Sequence, residues 1–180
     1  EVSGLYVGVN PEIYIADTIT GDGMVYARTA TWAESRAATS GIVSATTTLD
    51  TIAGRFLDTG TRYLYRGFIP IDTSFLPEGA MILSARLYIY CTSKAGSPVL
   101  HLFQSTQASS TALEANDFDN QGTSYSDETV TPAVATWSSW KLNAAGIAAI
   151  DTTGYTKFAV KETDDVNNTL DDTGEYANIN

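Results

Sequence analysis

Residues 4–10 alternate between apolar side chains on one face and other residues on the opposite face, and Pro11 follows them. Successive side chains of an extended backbone point to opposite faces, so one face of this stretch is apolar. That face consists of Leu5, Val7 and Val9, and Tyr6 and Gly8 lie on the other. Since proline cannot donate to a strand ladder, the pattern predicts a strand in residues 1–11 that stands apart from the domain behind it. Its apolar face must be buried in its own domain or in another molecule.

Strand patterns fill most of residues 12–180. They cover residues 12–17, 24–28, 63–71, 83–91, 99–104, 137–142, 156–162 and 175–180. The clearest is 83–91, whose inward side chains would be Leu83, Ala85, Leu87, Ile89 and Cys91. Many short strands separated by turn residues predict a single all-β domain, a β-sandwich of the jelly-roll type, over residues 12–180.

Helices are expected to be one or two in number and short. A capping box at Thr31 and Glu34 and an N-cap at Asn143 indicate two helix starts. A second capping-box pattern in residues 111–114 predicts a helical turn over 111–118.

The remaining segments are expected to be loops and turns. Residues 120–127 are predicted to be a loop, and residues 163–174 an acidic loop. Ala53-Gly54 and Thr59-Gly60 are expected to interrupt residues 42–61, which form a hairpin or a long loop.

Charge narrows the range of partners. The formal net charge is -11 and the isoelectric point is near 4.3, which argues against binding to nucleic acid or to anionic membrane surfaces and favours cations as ligands. Cys91, the single cysteine, is expected to be a buried and inert thiol. The chain has no apolar run of membrane-spanning length and no signal peptide. Since it starts at Glu1 without a Met, we expect a processed, secreted product.

Several motifs, in order along the chain, carry a resemblance to a known family. Residues 63–68 read Tyr-Leu-Tyr-Arg-Gly-Phe, residues 72–80 hold a proline turn, and residues 82–90 are rich in leucine and tyrosine. The later motifs are Glu114, residues 117–120 with Gly122, residues 142–150 and residues 153–158. Together, over residues 13–179, they resemble the DNRLRE domain family.

The resemblance implies a secreted jelly-roll module, related to carbohydrate-binding modules, in an extracellular or cell-surface protein. Members of the family continue past the strand that corresponds to residues 175–179 into one more strand, which closes the sandwich. We therefore expect this domain to lack its final strand and the N-terminal strand to be its complement. Donated from one molecule to the next, that strand would build a head-to-tail homopolymer. The alternative is that it folds back into its own sandwich.

Two further sites are candidates on the residues alone. Grouped carboxylates can supply the oxygen ligands that calcium prefers, although most acidic loops are only solvated. The candidate ligands are Asp17, Asp22, Asp164, Asp165, Asp171 and Asp172. Asn167, followed by Asn168 and Thr169, fits the acceptor pattern for N-glycosylation.

Aromatic residues offer a surface for stacking sugars. Trp137 and Trp140, with Tyr88 and Tyr90 beside them, are the candidate platform. Because the two tryptophans are three residues apart in a strand, they point to opposite faces, and at least one of them is expected in the core.

The chain is poorly equipped for catalysis. His101 is its single histidine, and the sequence holds no serine nucleophile motif, metal-binding histidine pair or phosphate-binding loop. We therefore expect a protein that is not an enzyme.

These observations predict a structural subunit of an extracellular filament or surface fibre that is assembled by N-terminal strand donation and stiffened by calcium. The main alternative is a glycan-binding module that belongs to a larger secreted surface protein. In that case the missing strand marks the boundary of the excised piece. A remnant of a polysaccharide-degrading surface protein is a third interpretation.

Overall fold

The computed structural model describes residues 21–44, 51–169 and 174–179. Within them ten strands follow one another in the chain: β1 (Gly23–Thr29), β2 (Ile42–Ser44), β3 (Thr51–Asp58), β4 (Thr61–Asp72), β5 (Arg86–Ala95), β6 (Leu100–Ser105), β7 (Gln121–Ser124), β8 (Thr136–Lys141), β9 (Tyr155–Glu162) and β10 (Glu175–Ile179). Three short α-helices are α1 (Trp32–Ala37), α2 (Ala144–Ala148) and α3 (Thr163–Asn167), and Ala115–Asp119 forms a 3₁₀ helix. The all-β class predicted from the sequence is confirmed.

The strands pair antiparallel in the order β7-β6-β9-β4-β3-β10-β5-β8, and β1 pairs with both β2 and β4. β4 connects the two halves of this array. Its first half, Thr61 to Tyr65, pairs with β3, and its second half, Gly67 to Asp72, pairs with β9. One long strand therefore belongs to both layers of the sandwich.

Two apolar clusters hold the layers together. The larger one packs the inward faces of β5, β8 and β10 against those of β6 and β9, around the buried Trp140, Leu102, Ile179 and Val160. The second lies on the other face of β4 and β9, where α1 and the 3₁₀ helix cover Phe68 and Ala159. Burying a large apolar side chain contributes about 2 kcal/mol, so these clusters are the main source of stability.

Local signals placed two helices correctly. The Thr31 hydroxyl accepts a hydrogen bond from the Glu34 amide, and the Glu34 carboxylate accepts one from the Thr31 amide, which is the capping box that starts α1. At α2 the cap is a single hydrogen bond, in which the Asn143 side-chain oxygen accepts from the Gly146 amide at 3.0 Å. The buried thiol of Cys91 is also confirmed.

Five predictions about elements were wrong. Ala53 and Gly54 do not interrupt residues 42–61, because both lie within β3. β5 begins at Arg86 and not at residue 83, because its ladder with β8 starts at the Arg86–Lys141 pair, and Leu83 is exposed rather than inward. Residues 121–124 are strand β7 within the expected loop, since they pair with β6. The acidic loop begins as α3, with the Glu162 side chain as its N-cap.

The fifth error concerns the helical turn expected over 111–118. The helix there is the 3₁₀ segment that begins after Glu114, and the Glu114 amide donates to the Asp117 carboxylate at 2.8 Å.

Candidate functional site

Part of the predicted site lies outside the described residues. This holds for the donor strand and for three carboxylates: Leu5, Tyr6, Val7, Gly8, Val9, Asp17, Asp171 and Asp172. The predicted strand at residues 12–17 lies outside them too. The other candidate site residues lie within the described ranges. Those ranges also contain surface features that the sequence pattern did not indicate.

The connection between β4 and β5 carries the most exposed large apolar side chains of the described residues. Met81 is 83% exposed, Leu83 is 82% exposed and Phe75 is 50% exposed. Residues 79–85 contain no charged side chain, in a chain with 31 charged residues. Water-exposed apolar side chains of this size, grouped on one segment, are typical of a surface that another protein segment covers.

The start of this connection is firmly anchored. The Thr73 amide donates to the Gly154 carbonyl at 2.9 Å, and its hydroxyl lies 2.8 Å from the Thr156 hydroxyl. The Leu76 amide donates back to the Thr73 carbonyl at 3.1 Å. The apolar residues that follow therefore leave the sandwich at a fixed point, the end of β4.

The N-terminal segment joins the domain near the same end of β4. The Gln107 side chain donates to the Gly21 carbonyl at 3.1 Å, and the Lys157 ammonium donates to the Gln107 carbonyl at 2.8 Å. Lys157 in turn lies opposite Pro70 in the β4–β9 ladder. Residue 21 and the start of the apolar connection are therefore at one end of the sandwich.

The two candidate platform tryptophans point to opposite faces, as the spacing predicted. Trp140 is fully buried, and its indole donates to the Leu100 carbonyl at 3.3 Å. Trp137 is 65% exposed on the outer face of β8. The ring of Tyr90, opposite it on β5, lies with its centroid 5.3 Å from that of Trp137.

On the outer face of β5 and β8, three pairs of residues lie opposite one another across the two strands. Tyr90 pairs with Trp137, Tyr88 with Ser139, and Arg86 with Lys141. The Arg86 guanidinium donates to Ser139 at 3.1 Å and to Glu128 at 3.2 Å. An exposed indole with a neighbouring phenol, flanked by hydrogen-bonding groups, is chemically suited to stacking and orienting a sugar ring.

A second aromatic group lies on the outer face of β1, β3, β4 and β10, and sequence analysis did not identify it. Its members are Tyr26, Phe56, Tyr63, Tyr65 and Tyr176. Neighbouring ring centroids are 5.3 to 6.4 Å apart, and burial together with the neighbouring phenols raises the pKa of Tyr65 to about 12. Only the alternation of Tyr63 and Tyr65 along β4 could have indicated it, because the other members come from distant strands.

The side chains of the candidate calcium ligands Asp164 and Asp165 lie in different places and have different partners. Asp165 is buried and accepts two hydrogen bonds from the Arg66 guanidinium, at 2.7 and 2.9 Å. Asp164 instead lies with Glu162 and Glu175, whose carboxylate oxygens come within 4.8 Å of one another. Asp22, just ahead of β1, is not part of that group.

A buried arginine is already within ion-pair distance of all three carboxylates. The Arg55 guanidinium makes an ion pair with Asp164 and lies 3.9 Å from the Glu162 carboxylate and 3.8 Å from that of Glu175. Burial, together with the neighbouring carboxylates, raises the pKa of Glu162 to about 7. A calcium ion would have to share this space with a guanidinium, and calcium binding stays a prediction.

The glycosylation candidate Asn167 is exposed at the last residue of α3. Asn168 follows in the left-handed conformation, and the Thr169 hydroxyl donates to the Asp164 carboxylate. The acceptor asparagine is therefore accessible, but the hydroxyl of its motif is already engaged.

The His101 side chain, on β6, is fixed by a polar contact with the residue that starts α3. Its Nε2 lies 2.8 Å from the Thr163 hydroxyl, and burial lowers its pKa. Its ring also packs near Phe103. These contacts hold the imidazole against Phe103 and the start of α3, and the expectation that the chain is not an enzyme stays a prediction.

No protein-family model, curated protein or solved structure matches this chain. The resemblance to the DNRLRE domain family therefore stays a prediction that rests on the motifs. Of the helices in the described residues, not one is long and apolar enough to cross a membrane.

Proposed function

We propose that this protein is a structural subunit of an extracellular filament or surface fibre, joined to its neighbours by the N-terminal strand. The observation that carries the proposal is the uncharged, exposed apolar segment between β4 and β5, with Met81 and Leu83 more than four-fifths exposed. The apolar strand pattern of residues 1–11 is the matching element in the same chain.

Electrostatics support the choice of this segment as a contact between copies. Two molecules that each carry a net charge of -11 repel one another. Association of such molecules is favoured where each presents apolar surface without charge. Neither residues 79–85 nor residues 2–11 contain a charged side chain.

The proposal is tested by deleting residues 1–10 and comparing the truncated and full-length proteins by electron microscopy and size-exclusion chromatography. We expect fibres from the full-length chain and soluble monomers from the truncated one, with unchanged circular dichroism. Fibres of the same form from the truncated protein, or no fibres from either, would contradict the proposal.

A second candidate function, glycan binding, is favoured by the exposed Trp137–Tyr90 pair. Trp137→Ala should abolish saturable binding to a polysaccharide panel in affinity electrophoresis, because the stacking surface is lost. Phe75→Ala is a matched control, since it removes an exposed aromatic ring from a different part of the surface. Equal retardation of wild type and Trp137→Ala would exclude this platform.

A further inference from the structure

We infer that residues 5–9 of one molecule pack against residues 79–85 of a second molecule, with Val7 over Met81 and Leu83. This inference rests on the proposed function and names the receiving surface within it. It assigns the exposed β4–β5 segment to one occupant, the N-terminal strand of another copy.

The side-chain patterns of the two segments match. Leu5, Val7 and Val9 are spaced by two residues, as are Met81 and Leu83. Residues spaced by two share one face of an extended chain, and opposite side chains of paired strands lie about 5 Å apart. The exposed thioether and isobutyl groups can therefore interleave with the three aliphatic side chains.

The receiving segment leads into the start of a strand, where the Leu142 amide already donates to the Ala85 carbonyl at 3.0 Å. Residues 81–85 lie outside the strands and lead directly into β5. Their alternation is continuous with that of β5, whose Leu87 and Ile89 are buried. A strand added here would extend the sheet at the start of β5, which is a known mode of peptide recognition.

The reach of the N-terminal segment allows contact between molecules. Twenty residues precede Gly21, and an extended chain gains about 3.3 Å per residue, so the segment can span roughly 65 Å. A compact domain of this length has a radius of gyration of about 16 Å. The strand can therefore leave the end of the sandwich where residue 21 lies and reach the same end of a neighbour.

Electrostatics do not oppose this contact. Glu1 is the single charged residue of the first eleven, and the receiving segment is bounded by Glu78 and Arg86. Glu1 of an antiparallel donor strand would approach Arg86, and that of a parallel donor would approach Glu78. The antiparallel direction is therefore favoured.

Cysteine cross-linking tests the contact directly. Two full-length variants are prepared, Val7→Cys and Met81→Cys, and are mixed under assembly conditions before mild oxidation. A disulfide forms only when the two Cα atoms come within about 7 Å, so we expect a covalent dimer that contains one copy of each variant. The native Cys91 does not interfere, because its thiol is buried.

Ile42→Cys replaces Met81→Cys as the control, since Ile42 is also an exposed apolar residue but lies on β2. It should give no mixed dimer with Val7→Cys. A chain carrying both Val7→Cys and Met81→Cys should give a ladder of covalent multimers. Cross-linking confined to single chains at every concentration would overturn the inference, because the strand would then fold back into its own molecule.

The outcomes separate the inference from the function on which it rests. Fibres in micrographs without the mixed dimer would leave the filament function standing and place the contact elsewhere. Absence of fibres from the full-length chain would refute the filament function itself. Met81→Asp with Leu83→Asp provides a second readout, since both positions are exposed and the monomer should fold unchanged while fibres are lost.

Discussion

Buried charge is concentrated where β9 runs into α3. The Arg66 guanidinium holds the Asp165 carboxylate with two hydrogen bonds, donates to the Phe118 carbonyl at 2.9 Å and lies 4.2 Å from the centre of the Phe118 ring. Arg36 of α1 donates to the Asp165 carbonyl at 2.7 and 3.0 Å. One aspartate therefore ties α3 to β4 and to α1.

Arg66→Ala should destabilise the fold by about 3 to 5 kcal/mol, because removing one partner leaves a buried carboxylate with reduced compensation. The measurement is the free energy of unfolding from urea denaturation. Arg86→Ala is the matched control, since the Arg86–Glu128 pair is exposed on both sides and should cost less than about 1 kcal/mol. Equal losses in the two variants would show that burial does not strengthen this pair.

Glu162 should make stability depend on pH. A carboxyl whose pKa rises from 4.5 to about 7 on folding binds its proton more tightly in the folded state than in the unfolded chain. Its contribution is therefore fully present below pH 4.5 and is lost as the pH rises through about 7.

Glu162→Gln should remove this dependence while keeping an oxygen that can accept the Asp164 amide. The stability difference between wild type and variant should change by on the order of 3 kcal/mol between pH 4.5 and 8, with the variant gaining as the pH rises. Urea denaturation at several pH values measures it. Glu128→Gln, which removes an exposed carboxylate, is the control, and a constant difference for Glu162→Gln would refute the assignment.

Among the elements, β3 depends on a glycine within the ladder. Gly54 has a φ of 145° and lies between Tyr65 of β4 and Tyr176 of β10. A Cβ at this position would lie 2.2 Å from the Glu175 carbonyl oxygen and 2.4 Å from the Tyr176 Cα. The close approach of β10 therefore requires a residue without a side chain.

Gly54→Ala should destabilise the fold by at least about 3 kcal/mol, from backbone strain and from the contact with β10. Gly60→Ala is the control, because Gly60 also has a positive φ, 80°, but a Cβ there would meet nothing within 4 Å. It should cost about 1 to 2 kcal/mol. Thermal unfolding followed by circular dichroism compares the two, and similar losses would argue against the steric explanation.

Elements fixed by neighbouring residues were predictable, and those fixed by distant partners were not. The caps at Thr31 and Asn143 satisfy amides three residues away, so the sequence alone locates them. By contrast, α3 lies within an acidic segment, residues 163–174, whose sequence resembles a solvated loop. It becomes a helix where Arg55 and Arg66 of other strands neutralise its carboxylates.

The same distinction applies to the candidate surfaces. Spacing alone predicted that Trp137 and Trp140 would separate, because side chains alternate along a strand. It could not predict that Leu83 would be exposed, since that follows from where the ladder between β5 and β8 starts. The carboxylate cluster also required the fold, because Glu162 and Glu175 come from strands thirteen residues apart.

At the scale of the whole molecule, net charge controls how copies approach. A formal charge of -11 on each molecule opposes association, and added salt screens that repulsion over a Debye length of about 10 Å at 0.1 M. Contacts between apolar residues are not weakened by the same screening. Added salt therefore weakens the repulsion between two copies and leaves an apolar contact between them intact.

If the filament proposal holds, assembly should accelerate as sodium chloride rises from about 10 to 300 mM, because the repulsion falls while the apolar contact persists. Light scattering measures the rate. The chain without residues 1–10 is the control and should not scatter at any of these salt concentrations. A rate that falls with salt would indicate that ion pairs, not apolar side chains, join the subunits.

β4 also has a mechanical consequence. It bonds to β3 along its first half, to β9 along its second half and to β1 through most of its length. Because both layers share β4, one layer cannot be separated from the other without breaking the hydrogen bonds between β4 and either β3 or β9. Under tension the two layers should therefore separate together, so that the domain stays whole or unfolds in one step.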